Sequence, residues 1–197
     1  MNISFRLKAL CAAAAFFMSA QAGAIPVVFN STPVAICDLC TVTSVLDVNA
    51  HGQLTDVNAL VDITHSYDAD IRISLSHAGT TVILANRQGG SGGANYTGTL
   101  FDDQAAVSIA AGYAYAPYAG AFRPEQQLAS FLGSDVFGLW TLSVTDFEAG
   151  DDGTINRFGI AASVLDAAQV PEPGSLALLG AGLLGFVGVS RKTGKRA

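Results

Sequence analysis

The sequence predicts an all-β fold, a jelly-roll-like antiparallel β-sandwich, on three observations. Apolar residues alternate with polar ones at period two in several stretches. Glycine- and aspartate-rich turn signals separate these stretches, and no part of the middle of the chain shows a 3.6-residue amphipathic period.

In chain order, Val57, Ala59, Val61 and Ile63 alternate with Asn58, Leu60, Asp62 and Thr64. Ile71, Ile73 and Leu75 alternate with Arg72 and Ser74; Trp140, Leu142 and Val144 with Thr141, Ser143 and Thr145. Phe158, Ile160, Ala162 and Val164 continue the pattern. Each strand therefore has one dry and one wet face. His77-Ala78-Gly79, Arg87 to Gly93 and Gly150-Asp151-Asp152-Gly153 are the turns between them. About eight short strands of this kind fit two antiparallel sheets packed face to face. A domain of that size buries roughly two-thirds of its unfolded surface and needs no disulfide scaffold.

Charge narrows the partners. Residues 25 to 169 carry 4 Arg, no Lys and 15 acidic residues, a net charge of 4 − 15 = −11. Such a surface repels phosphate backbones and anionic headgroups, which argues against nucleic-acid binding, and attracts cations.

Both ends are targeting segments. Residues 1 to 24 form a signal peptide: Arg6 and Lys8, an apolar stretch Ala9 to Met18 too short to span a bilayer, then small-residue cleavage patterns at Ala20-Gln21-Ala22 or Ala22-Gly23-Ala24. The mature protein is therefore expected outside the cytoplasm, where thiols are oxidised. Residues 167 to 197 carry Val170-Pro171-Glu172-Pro173, a hydrophobic span over 175–190 and a basic tail over 191–197 with Arg191, Lys192, Lys195 and Arg196. Counted from Val170 to Ser190 the segment reaches spanning length, with the basic end staying cytoplasmic. Motif, span and basic cluster in this order resemble the PEP-CTERM sorting signal of exopolysaccharide-producing Gram-negative bacteria. The resemblance implies an exosortase-type sorting enzyme as partner, cutting near Pro171 to Pro173. It also implies transient inner-membrane insertion, then delivery to the cell surface or extracellular matrix; a plain membrane anchor is the alternative.

The middle of the chain has its own resemblance. Asp62-Ile63-Thr64-His65-Ser66-Tyr67-Asp68-Ala69-Asp70-Ile71 leads on to Gly79-Thr80, Phe101-Asp102-Asp103 and Phe122-Arg123-Pro124-Glu125. Gly138-Leu139-Trp140-Thr141-Leu142, Val144-Thr145-Asp146 and Gly150-Asp151-Asp152-Gly153 follow in order. Together they resemble the P domain, or Homo B domain, of kexin- and furin-type proprotein convertases, over a unit placed at 45–166 behind a lead-in at 25–44. The resemblance implies a jelly-roll sandwich that, in convertases, stabilises a neighbouring protease. The chain shows no subtilisin-type motif, Ser76-His77-Ala78-Gly79 lacks the family's usual Pro, and Phe158 stands where a Trp is common.

No catalytic residue is assigned. Gly89-Gly90-Ser91-Gly92-Gly93 satisfies the G-x-S-x-G pattern of a nucleophile elbow, but all three histidines (His51, His65, His77) precede Ser91 and a poor helix start follows it. His65 and His77 are expected in turns. Gly180 to Gly185 matches a dinucleotide fingerprint by letters alone, inside the span and with no strand before it. The mature cysteines, Cys37 and Cys40, leave open a disulfide, free thiols, or a metal or redox site. A bond would force a turn, because three-apart Cα atoms in a strand lie about 10 Å apart. Two acidic groups could supply calcium's oxygens: Asp68 and Asp70 with Asp102 and Asp103, whose loop the P-domain resemblance implies lies in the same region of the fold, and Asp146, Glu148, Asp151 and Asp152. Solvated acidic turns are the other reading of both. The sequons at Asn30 and Asn95 matter only in a glycosylating host.

The expectation from sequence is thus an exported, non-catalytic binding or structural module, with surface polysaccharide or a separate protease as partner. Its rivals are a module that regulates a protease in trans and a hydrolase with an unrecognised site.

Overall fold

The computed structural model describes residues 22–89, 95–112 and 115–165. The Ser91 loop, most of the signal peptide and the PEP-CTERM segment lie outside these residues.

Ten strands form two sheets. They are β1 (Ala22–Asn30), β2 (Val34–Ile36), β3 (Thr41–Val48), β4 (Gln53–His65), β5 (Ile71–His77), β6 (Thr80–Asn86), β7 (Tyr96–Phe101), β8 (Gly120–Phe122), β9 (Gly138–Asp146) and β10 (Gly153–Leu165). One sheet runs β1-β10-β4-β7-β8 with β2 also on β10, and the other runs β3-β9-β5-β6. Every pairing is antiparallel except β7 with β8, which run parallel. Helical structure among the described residues is confined to short 3-10 turns, and no helix there is long and apolar enough to cross a membrane.

The alternation fixes which faces meet. Val57, Ala59, Val61 and Ile63 of β4 and Phe158, Ile160 and Val164 of β10 are buried against Ile71, Ile73 and Leu75 of β5 and Trp140, Leu142 and Val144 of β9. Trp140 is wholly enclosed: its indole N–H donates to the Val136 carbonyl at 3.0 Å, His77 stacks on it at 3.9 Å, and Phe131 meets it edge-on at 5.2 Å. Burying a ring of this size with its N–H satisfied removes the penalty that an apolar core would otherwise impose on it.

Two features differ from the expectation. The lead-in at 25–44 contributes strands: β1 pairs with β10 from Ala22↔Leu165 to Asn30↔Phe158, with an irregularity between Ile25 and Val28 around Pro26. Proline lacks the ladder donor but is tolerated at such an edge position. The histidines expected in turns are strand residues instead. His65 ends β4 and His77 ends β5, each on the buried parity of its strand and each nearly inaccessible.

Candidate functional site

β3, β5 and β10 begin, and β4, β6 and β9 end, at one end of the sandwich, so the sequence's acidic turns collect there. At its centre the His65 ring is fully enclosed, with Nε2 3.2 Å from Asp146 Oδ2 and Nδ1 2.9 Å from the Tyr67 carbonyl oxygen. Asp146 Oδ1 accepts the Glu148 N–H at 2.9 Å, and the Asp146 N–H donates to the Cys40 carbonyl at 2.9 Å. Both ring nitrogens and both carboxylate oxygens are thus engaged within the protein. A ring so placed orders β4 against β9 and cannot take a proton from a substrate, which a general base must reach.

Asp68 and Asp70 form the 3-10 turn into β5. Asp68 Oδ1 accepts the Asn95 N–H at 3.0 Å, while Oδ2 is buried with no hydrogen-bond partner. Burial pushes this carboxyl up to about 7, against the opposing pull of the Asn95 N–H and the His65 charge. The Asn95 side chain in turn accepts the His65 N–H at 3.2 Å, tying the start of β7 to the end of β4. Gly89, at φ +117°, passes so close that a Cβ there would sit 3.0 Å from the Asp68 Cβ. Asp70 is also raised, first by burial, then by repulsion from Asp151, Asp146 and Glu148, with Arg87 pulling the other way.

The rim is held by polar contacts. Ser66 Oγ donates to Asp151 Oδ1 at 2.6 Å, Asp38 Oδ2 accepts the Gly150 N–H at 3.0 Å, and Arg87 bonds Glu148 at 2.7 Å and the Ala69 carbonyl at 3.0 Å. Arg72 and Arg87 lie over the Phe147 ring at 5.1 and 5.7 Å. Cys37 and Cys40 are joined in a disulfide across a turn, with Cα atoms 5.7 Å apart and Leu39 at φ 53°.

The structure does not bring Asp102 and Asp103 to this group. β7 starts beside Ile63, near the acidic end, and runs away from it, so Asp102 lies roughly 20 Å of extended chain farther along. There Asp102 closes a turn by accepting the Gln104 N–H at 2.7 Å. Asp103 accepts the Leu128 and Ala129 N–H groups at 2.9 and 2.8 Å, capping the 3-10 turn Leu128–Phe131. The expected four-carboxylate set therefore does not assemble. Asp70 instead feels the charges of Asp146, Glu148 and Asp151, which belong to the other acidic cluster. As placed, no three His, Cys, Asp or Glu side chains among the described residues form a group that could hold a metal ion.

Sequence reasoning missed the His65–Asp146 pair. The signal was present: His65 stands two residues after Ile63, on the parity of Val61 and Ile63, and Asp146 two residues after Val144. A polar residue that continues a buried parity must find a partner inside.

Known proteins place this geometry. The protein-family model described as the proprotein convertase P-domain matches residues 54–162, over half of the chain, and the PEP-CTERM protein-sorting motif matches residues 169–192. Neither is a catalytic domain. No curated protein sequence matches the chain. Among solved structures, the serine protease of Aeromonas sobria in complex with a chaperone is similar at a TM-score of 0.50 and 16% identity, covering 75% of this chain and 28% of that one. A second structure of the Aeromonas sobria serine protease has a TM-score of 0.48 at 16% identity, over 73% of this chain and 27% of that one. The chain thus spans little more than a quarter of those proteins, and the likeness is one of fold. By its family match and its sheets, the chain belongs to the proprotein convertase P-domain family and carries a PEP-CTERM sorting motif.

Proposed function

We propose that this exported P-domain protein, sorted through an exosortase-type enzyme, is a non-catalytic binding or structural module of the cell surface or exopolysaccharide matrix. One observation carries the reading: His65, the histidine that stands beside the clustered carboxylates, is sealed by Asp146 and the Tyr67 backbone. Among the described residues, His65 and Asp146 serve to join β4 to β9. Affinity capture from envelope fractions with the processed domain should return polysaccharide or envelope protein without hydrolytic activity. An activity labelled by a serine-reactive probe and lost on Ser91→Ala would overturn it.

The second reading, a module that stabilises or regulates a separate protease in trans, is favoured by the P-domain family itself. Capture of a protease whose half-life lengthens with the domain present would select it. Calcium stays with this proposal at Asp70 with Asp146, Glu148 and Asp151; what supports it is the repulsion these three exert on Asp70, which a cation would relieve. The side chains would have to draw closer to offer calcium its six to eight oxygens.

A further inference from the structure

The two ends of the sandwich differ in chemistry. Opposite the acidic end lie the connection from β3 to β4, the start of β9 and the end of β10. There Leu132, Phe137 and Leu139 are 43%, 46% and 60% exposed, large apolar side chains at the start of β9 and on the segment that leads into it. Asp135 holds that segment in place: its carboxylate accepts the Gly52 and Phe137 N–H groups at 3.0 and 3.1 Å and bonds His51 at 2.9 Å, while the His51 ring stacks on Phe137 at 4.1 Å. Gln53 bridges to Asp135 and pairs with Leu165, so the patch stands beside the point where the described chain ends.

We infer that this apolar end faces the bilayer while the C-terminal segment is inserted, with Leu132, Phe137 and Leu139 entering the headgroup region. The inference rests on the sorting-tail reading and adds an orientation to it. Nine residues separate Leu165 from Ser175, where the apolar run begins. Even fully extended the ten steps from Leu165 to Ser175 reach only about 35 Å, so the tether keeps the patch within that distance of the membrane that takes the run. Leu and Phe are suited to the interface. Asp47, paired with Leu139, and Asp135 beside Phe137 keep the insertion shallow. The patch itself carries no lysine or arginine to attract it to lipid, so the tether's effective concentration must supply the encounter. The acidic cluster lies at the other end of β9, seven residues and about 24 Å of strand from Leu139, still well beyond the roughly 8 Å Debye length. Anionic headgroups then meet the least acidic end of a −11 domain.

The full tail-bearing chain in phosphatidylcholine–phosphatidylethanolamine vesicles with brominated acyl chains tests this. Phe137→Trp reports on the patch and Leu39→Trp, at the acidic end, serves as control; buried Trp140 gives a constant background. Flotation reports tail insertion separately. We expect Phe137→Trp to float, shift its emission to the blue and lose most of it to bromine. Leu39→Trp should float unquenched, and adding Leu132→Ser and Leu139→Ser to Phe137→Trp should restore emission. Flotation with equal quenching at both positions, or with none, overturns the orientation. A blue shift that grows with protein concentration but not with bromine also overturns it, by showing a second copy on the patch. Failure to float removes the tail reading, and this inference with it.

Discussion

Replacing Asp68 with asparagine should flatten the domain's stability between about pH 4 and pH 7. The wild-type carboxyl is wholly buried, gives one oxygen to the Asn95 N–H and leaves the other without a partner. The groups around it do not rescue the charge: His65 helps modestly, and the Tyr96 and Tyr118 hydroxyls, also buried and unpartnered, are themselves pushed up by burial and by Asp68. A folded carboxyl that titrates at about 7 instead of 3.8 holds its proton where the unfolded chain has released it. The native state therefore binds more protons between those values, and stability falls as pH rises through the window, levelling off above about 7. At 1.36 kcal/mol per pKa unit the full displacement is about 4 kcal/mol, and relaxation with water entry reduces it to about 2. The substituted amide would be neutral throughout while its Oδ1 keeps the Asn95 bond, at a constant offset for its unpartnered NH2. Urea unfolding of both proteins from pH 4.5 to pH 8.5 measures the difference curve, in which other titrating groups cancel. A rise of about 2 kcal/mol in favour of Asp68→Asn across the window is expected; parallel curves would refute a buried, charge-averse carboxyl at this position.

Other outcomes follow from the same geometry. Gly153→Ala should cost about 2–4 kcal/mol, since its Cβ would sit 2.4 Å from the His65 ring and 2.8 Å from the Thr64 carbonyl oxygen, a backbone atom that cannot yield; chemical denaturation reads it. Asp146→Ala should cost about 3 kcal/mol by leaving His65 buried without its partner, more than Glu148→Ala, whose pair with Arg87 is half exposed. Millimolar calcium should raise the melting temperature more than magnesium does, and Asp70→Asn should erase the difference. Equal effects of the two ions and of matched sodium chloride would reduce calcium to screening. Intact mass of surface protein should lack both the first 22 to 24 residues and the basic tail from Arg191; most molecules keeping that tail would favour a permanent anchor.

Much of the fold was legible because a half-buried strand writes its burial at period two, and β4, β5, β9 and β10 do so with few exceptions. His65 and His77 continue that period, yet polar side chains after an apolar run resemble turns until a partner is known. Those partners, Asp146 and the carbonyls of Asp135 and Leu139, lie 58 to 81 residues away and enter only through pairing of strands. The P-domain resemblance groups Asp102 and Asp103 with Asp68 and Asp70, but a family likeness read from separated motifs does not fix which end of the sandwich each strand reaches. β1 was hidden by Pro26 and by the apolar leader running into it.

β1 also bounds the processing that its own sequence invites. Ala22, Gly23 and Ala24 pair with Leu165, Val164 and Ser163, so a cut after Ala22 or Ala24 removes one to three residues of the edge ladder and leaves Ile25 on Ala162. The stretch Val28–Asn30 on Ile160–Phe158 survives either cut, braced by Arg157 over the Phe29 ring at 4.7 Å and by the Asn30 side chain donating to the Val45 carbonyl at 2.8 Å. Gly159 accommodates that bracing: a Cβ there would meet the Phe29 ring at 2.4 Å and the Val28 carbonyl oxygen at 3.0 Å. At the other terminus β10 ends at Leu165, five residues before Val170, so a cut at the sorting motif would fall outside the ladder. With both cuts where the sequence predicts them, the β1–β10 pairing from Ile25↔Ala162 to Asn30↔Phe158 is expected to persist through maturation. An N-terminal cut beyond Asn30 would leave the Phe158–Leu165 stretch of β10 without its outer neighbour and expose that edge to other chains, which makes the small-residue sites at Ala22 and Ala24 compatible with a stable product and later sites incompatible with it.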